Sequence, residues 1–500
     1  MNAPLRKAGV VIMVLFALLF ANLNWVQAYR ADKYRNSDWN SRVQVAEYEV
    51  PRGTIEADGK ALAESKLTDD ALKYLRTYPE KQMYAPVIGY KPVNLGEVGI
   101  ERSEDEFLSG ASDKLFADRV SSMFTGDQPG GGNIVLTLKT KAQEVAWKQM
   151  TNNERGAEKG SAIALDPRTG AVQAMVSMPS YDPNPLASHT TKSAAAAYDK
   201  LIKDKDNPLL NRSVAETYPP GSTFKVIVSA AALRDGMSQN DEIEAGGSYT
   251  APGSGAPIHN AESETCASSQ VTLKEALTTS CNTGYAQLGV KLGADKVKKE
   301  AQAWGFEQDD LTVGNLDGSG LPVATSRTGA MQNADGSTDQ AALAQSSIGQ
   351  KDVRMTVMEG ALMAATVANG GKQMRPYLVQ QELNADRRPI YNASPKTLRT
   401  PIDGTIANDL KEMMVSVVEN GTGRRARIDG FTVGGKTGTA QNGPNANPHA
   451  WFVGFAYNDK GEAVSAACVM LENADGSSVS GEAARIAGLI MKAAAGGGGD

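Results

Sequence analysis

The amino-acid sequence predicts an α+β fold. The larger domain reads as an α/β sandwich, an antiparallel sheet flanked by terminal helices with an all-helical subdomain, and it follows a smaller N-terminal α+β domain and a transmembrane helix. Three observations carry this. Strand patterns at 162–165 and 171–176 flank Asp166-Pro167-Arg168-Thr169-Gly170, where proline presets φ and glycine closes a turn, so a β-hairpin opens the larger domain. Helical patterns then dominate from about residue 194 to 420, including 271–277, 284–292 and 356–368. Strand patterns return at 431–433, 451–457 and 464–471, and 482–495 closes the chain as an amphipathic helix. Strands at both ends of one domain bury their apolar faces by pairing with each other across the helical block.

In chain order, residues 8–21 are almost purely apolar, and 22–26 bring the run to the length of a bilayer crossing. Arg6 and Lys7 precede it, and Lys33 and Arg35 follow. A cleaved leader is the competing reading, since Val26-Gln27-Ala28 loosely fits a small-residue cleavage site. The length of the run and the interfacial Trp25 and Tyr29 favour a retained anchor, with the bulk of the chain exported. The expected divisions are a short cytoplasmic tail and anchor over 1–28, a non-catalytic pedestal over 29–150, and the larger domain over 151–495. In the pedestal, Gln128-Pro129-Gly130-Gly131-Gly132-Asn133 reads as a hinge, followed by a strand at 134–138.

Of the 500 residues, 41% are hydrophobic and 22% charged, which is globular composition, and the net charge of −6 without a long basic run excludes nucleic acid as the main partner. The three histidines, His189, His259 and His449, and the three cysteines form no cluster at metal-ligand spacing, so neither a metal nor another cofactor is expected.

The chemistry points to Tyr218-Pro219-Pro220-Gly221-Ser222-Thr223-Phe224-Lys225. A rigid turn leads into a helix that starts at or just before Ser222 and stays apolar through Leu233, as in a helix buried on all faces. Lys225 is its one charge. A lysine there either snorkels to water or loses charge stabilisation to become a base, on the face it shares with Ser222 at i, i+3. Ser280-Cys281-Asn282 follows a helical stretch, and Lys436-Thr437-Gly438-Thr439 continues a strand. A second Ser-x-Asn, Ser238-Gln239-Asn240, lies too far along the first helix to return to Ser222. Taken singly, Ser280 and Asn282 read as a cap and turn, and Lys436 as a surface charge on an edge strand. Cys266 and Cys281 are either a disulfide bracing the Ser280 loop or two small thiols, while Cys468 reads as core.

With these three motifs in this order the sequence resembles the penicillin-binding, serine-acylating transpeptidases and their β-lactamase relatives. Arg52-Gly53-Thr54-Ile55, the 166–170 hairpin, residues 179–184, Gly421-Thr422-Gly423 and His449-Ala450-Trp451-Phe452-Val453-Gly454 extend the likeness to class B penicillin-binding proteins, closest to short actinobacterial members. The resemblance implies a peptidoglycan D,D-transpeptidase that cross-links stem peptides through an acyl-enzyme on Ser222 and is inhibited by β-lactams at the same hydroxyl. Lys225 would be the base, Ser280 a proton relay, and Asn282 a support for Lys225 or the substrate amide. Lys436, Thr437 and Thr439 would bind the D-alanyl carboxylate, Gly438 would let the peptide approach the strand edge, and the backbone N–H groups of Ser222 and Thr439 would form the oxyanion hole. It further implies a single-pass anchor in the cell membrane with the catalytic domain outside the cytoplasm, and partners in the wall-synthesis or division machinery. A β-lactamase, a D,D-carboxypeptidase or a non-catalytic penicillin-binding sensor are the alternatives that share these motifs.

Overall fold

The computed structural model describes residues 3–30, 47–125, 130–261, 265–441, 443, 446–476 and 478–496. Lys33, Arg35, Gln128, Pro129 and residues 497–500 lie outside the described residues. Helix α1 (Ala3–Asn24) continues through the wider turn Trp25–Tyr29. The apolar stretch Arg6–Tyr29, of mean hydropathy 2.2, is long and apolar enough to cross a membrane.

The N-terminal region supplies strands β1 (Ile55–Ala57), β2 (Lys60–Leu67), β3 (Tyr74–Thr77) and β4 (Asn133–Leu136). Helix α2 (Thr140–Thr151) follows, then β5 (Lys159–Leu165) and β6 (Val172–Met178), the two arms of the expected hairpin. The helical block contains α3 (Lys225–Arg234), α4 (Leu273–Thr278), α5 (Asn282–Leu292) and α6 (Val357–Ala368). The hairpin strands β7 (Val379–Leu383) and β8 (Pro389–Asn392) come next, then α7 (Gly404–Glu419). Strands β9 (Thr432–Ala440), β10 (His449–Tyr457) and β11 (Ala463–Glu472) and the terminal helix α8 (Val479–Ala494) complete the chain.

Two sheets organise these elements. The larger domain holds a five-stranded antiparallel sheet in the order β9-β10-β11-β5-β6, so its last three strands pair with its first hairpin as the sequence requires. Helix α8 covers one face through Ala483, Ala487 and Ile490, and α6, buried along its whole length, covers the other. Among the described residues strand β9 has a neighbour only in β10, so its other edge is unpaired by the sheet.

The second sheet is mixed, in the order β8-β7-β4-β1-β2-β3. Its outer hairpin, residues 379–392, comes from far downstream, and β7 pairs antiparallel with β4, which itself pairs in parallel with β1. The pedestal is therefore not the contiguous 29–150 of the sequence reading. The upstream boundary shifts as well, because Ala142, Ala146 and Met150 of α2 pack into the core beneath α8, so α2 belongs with the larger sheet. The expected hinge is also replaced by packing. Gly131 N–H donates to Pro51 C=O at 3.0 Å and Gly132 N–H to Phe107 C=O at 2.9 Å, which clamps this backbone against the Arg52 turn and the Phe107 turn. Arg52 holds Glu101 and Asp105 at 2.7 Å each, and Arg76 also grips Glu101, at 2.6 Å. Burial pushes the Glu101 carboxyl up, but the two guanidiniums outweigh it and hold it at about 2.

Candidate active site

The turn Gly221–Phe224 is a 3₁₀ helix that runs directly into α3 at Lys225, so the regular α-helix begins three residues later than Ser222. The difference follows from local geometry. At three residues per turn, side chains at i and i+3 eclipse, which aligns Ser222 with Lys225 more closely than an α-turn does. Every residue from Val226 to Leu233 is buried, and Lys225 is wholly buried too, so snorkelling does not occur.

Lys225 Nζ donates to the Ser280 carbonyl at 2.8 Å and to Asn282 Oδ1 at 2.7 Å, with Ser280 Oγ at 3.3 Å. Lys436 Nζ, also fully buried, donates to Ser280 Oγ at 2.9 Å and to Thr437 C=O at 2.8 Å. One hydroxyl therefore joins two amines from two distant segments. Burial, and secondarily the Lys436 charge, push the Lys225 amine far below its ordinary range. Burial lowers Lys436 to about 7. A neutral Lys225 has two N–H groups, and the two carbonyl oxygens, which can only accept, take both. Its lone pair is left to receive a hydroxyl proton. Ser222 Oγ makes no hydrogen bond among the described residues and is half-buried.

The Ser280 segment is held from several sides. Ser280 has φ +61, a left-handed conformation that costs a non-glycine residue about 1 kcal/mol or more. Cys281, which follows it, is paired with Cys266, and its side chain caps α5 at the Gly284 N–H. Asn282 opens that helix, its Nδ2 donating to His259 C=O at 3.0 Å, which turns Oδ1 toward Lys225. Asn260, which no motif marks, organises the whole corner. Its Oδ1 accepts from Asn282 N–H at 2.8 Å and Thr283 N–H at 3.1 Å, while Nδ2 donates to the Thr265 and Gly246 carbonyls. The rival Ser238 sits beyond the far end of α3, where its N–H donates to Asp241, and it takes no part here.

Strand β9 brings in the third motif. The turn bearing Ser222 packs directly on it, since a Cβ at residue 221 would lie 2.6 Å from the Thr439 carbonyl. Gly438 answers the same constraint from the strand, because a Cβ there would lie 2.7 Å from Pro220 C=O and 2.9 Å from Thr223 Cγ2. Glycine at 438 thus serves the packing of the Ser222 turn. Thr437 is buried, and its hydroxyl shares a 2.5 Å hydrogen bond with Thr422 of Gly421-Thr422-Gly423, another partner the motifs did not reveal. Thr439 is exposed beside the turn.

The penicillin binding protein transpeptidase domain matches residues 160–492, and the penicillin binding protein A dimerisation domain matches residues 52–134. The chain is 42% identical over 460 residues to the peptidoglycan D,D-transpeptidase PbpA of Mycolicibacterium smegmatis, covering 91% of each. Among solved structures it is similar to the ceftriaxone acyl-enzyme complex of penicillin-binding protein A from M. tuberculosis, with a TM-score of 0.83 at 38% identity, covering 90% of this chain and 99% of that one. The penicillin G acyl-enzyme complex of the same protein superposes with a TM-score of 0.81 at 37% identity, over 89% of this chain and 99% of that one.

Proposed function

The chain belongs to the penicillin-binding-protein transpeptidases, and from that premise we infer that it is a peptidoglycan D,D-transpeptidase working through an acyl-enzyme on Ser222. One observation carries the assignment of residues. Ser280 Oγ lies within hydrogen-bond distance of both buried amines, so the three motifs meet at one hydroxyl.

Ser222 Oγ attacks the carbonyl of the penultimate D-alanine, and its proton passes to the Lys225 lone pair. Ser280 Oγ accepts from the newly protonated Lys225 and turns its own hydrogen toward the leaving nitrogen, so it links that amine to the leaving group. The C–N bond then breaks, and the terminal D-alanine departs as the amine with the proton that Lys225 received. The amino group of a second stem peptide attacks the Ser222 ester, forming the cross-linking amide and returning the hydrogen to Ser222. Lys436, charged at or below about pH 7, attracts the donor's terminal carboxylate, and Thr439 offers it a hydroxyl. The free edge of β9 takes the donor as an added strand. The Ser222 N–H, at the head of the helical turn, and the Thr439 N–H stabilise the oxyanion. β-Lactams present a strained amide with a carboxylate at the same two positions and acylate the same hydroxyl.

The segment Arg6–Tyr29 anchors the chain in the cell membrane with the catalytic domain outside the cytoplasm. The region matching the dimerisation domain serves as an interaction surface for membrane proteins of wall synthesis or division. Fluorescent penicillin read by intact mass tests the nucleophile: one covalent adduct on the wild type and none on Ser222→Ala. Incubating a donor stem peptide with an amine acceptor then distinguishes transfer from hydrolysis. Product containing only the hydrolysed donor would overturn the transpeptidase assignment.

A further inference from the structure

Two extended segments run beside the turn that bears Ser222. Gly221 N–H donates to Gly349 C=O at 2.9 Å, and Met355 exchanges both backbone hydrogen bonds with Tyr218, at 2.9 and 3.0 Å. Its neighbour Arg354 exchanges both with Arg327, at 2.8 and 2.7 Å. In an antiparallel pair bonded twice in this way the two side chains stand on the same face, about 5.5 Å apart at Cα. Two guanidiniums set directly opposite each other destabilise the pair. Neither has a carboxylate partner among the described residues. Glu307, whose carboxylate reaches the Arg327 segment, is taken by the Thr328 N–H and hydroxyl at 2.8 and 2.9 Å. Arg354 Nη1 donates to the Lys351 and Val353 carbonyls, each at 2.9 Å. Those bonds fix the guanidinium and leave its Nε and Nη2 edge, the edge that grips a carboxylate in two parallel hydrogen bonds, without a partner among the described residues.

The position of this pair along the groove follows from the strand direction. With the donor's terminal carboxylate at Lys436 and its scissile carbonyl at Ser222, beside Thr439, the donor's earlier residues run past Ala440. Ala440 pairs with His449, whose ring lies edge-on to Tyr218 at 5.5 Å. Tyr218 is the residue that Met355 pairs with through both backbone hydrogen bonds, so Arg354, next to Met355 in the chain, stands close to the upstream end of the groove.

We propose that Arg354, assisted by Arg327, is a specificity-determining site that selects donor stem peptides carrying a free carboxylate on a residue upstream of D-alanyl-D-alanine. The carboxylate relieves the repulsion within the arginine pair and fills the open guanidinium edge, whereas an amidated or amine-bearing counterpart leaves both costs in place. This rests on the transpeptidase reading and adds a substrate feature to it.

The test measures binding apart from turnover. Full-length Ser222→Ala in detergent is titrated, by fluorescence polarisation, into two labelled pentapeptides ending in D-alanyl-D-alanine, one with a free carboxylate and one with a carboxamide on the residue before them. The carboxylate peptide binds ~10-fold or more tightly, as expected for a charge-assisted hydrogen bond. Adding Arg354→Ala abolishes the preference, Arg327→Ala reduces it, Arg354→Lys restores part of it, and salt weakens it in the parent. Equal binding of the two peptides, or a preference that survives Arg354→Ala, overturns the proposal. Wild-type penicillin acylation by Arg354→Ala with Ser222 intact shows that the site is folded; if it is not, the reduced preference expected of Arg327→Ala, at an exposed position, carries the test. A chain that binds selectively yet releases no D-alanine with Ser222 present retains this inference and loses the transpeptidase reading.

Discussion

Lys436 gives the most quantitative test of the site. Its amine is fully buried, and burial lowers it from the ordinary 10.5 to about 7. Between those values the unfolded chain holds a proton that the folded chain has released, so stability rises with pH by about 1.4 kcal/mol per unit. The penalty for keeping this cation in the fold is complete below about pH 7 and fades toward 10.5. From pH 6 to pH 9 essentially two units count, or ~3 kcal/mol. Lys436→Met keeps the volume and removes the titration. It also leaves Ser280 Oγ and Thr437 C=O without their donor, at roughly 1–3 kcal/mol each, but that loss does not vary with pH and cancels in the comparison. Lys225 titrates in both proteins. Urea unfolding of the full chain in detergent, followed by tryptophan fluorescence from pH 6 to 9, should therefore show the wild type gaining ~3 kcal/mol more than Lys436→Met. Parallel pH curves for the two proteins would refute the reasoning, because they would mean that the amine titrates alike in the folded and unfolded chains.

The same site yields three further expectations. Asn260→Ala withdraws the acceptor from the Asn282 and Thr283 N–H groups, and should cost ~2 kcal/mol in stability and slow penicillin acylation ~10-fold or more, read from a fluorescent-adduct time course. Gly438→Ala places a methyl 2.7 Å from Pro220 C=O and pushes the Ser222 turn off the strand, so acylation should fall by roughly 10²-fold in a protein that still unfolds cooperatively. D-Alanine release at low donor concentration should decline about tenfold per pH unit above about 7, as Lys436 loses the charge that captures the carboxylate, while the neutral Lys225 remains competent throughout.

Much of this could be read from the chain itself, because the signals are local. A turn before an apolar helix locates Ser222 and Lys225, and the return of strand patterns after the helical block implies one sheet shared by both ends of the domain, which is what brings Lys436 back to them. What stayed hidden depends on tertiary partners. Asn260 is an unremarkable loop asparagine until α5 places two N–H groups against its oxygen. Thr422 gains a role only when β9 delivers the Thr437 hydroxyl to it. The glycines at 131 and 132 look loose in sequence, yet they lie where the backbone is hydrogen-bonded on both sides. Periodicity reports which face of a strand is apolar, not which strand lies next to it, so the hairpin at 379–392 could not be assigned to the N-terminal sheet.

That hairpin also constrains how the protein is made. The N-terminal sheet cannot be finished until residues 379–392 have left the ribosome, by which time the segments carrying Ser222 and Ser280 have already emerged. Until then β4 offers an open rim to any passing strand, a period in which a chaperone would be of most use. For the same reason no single cut in the gene separates the two halves into whole parts, and a catalytic fragment grafted onto another anchor would carry two strands with nowhere to dock.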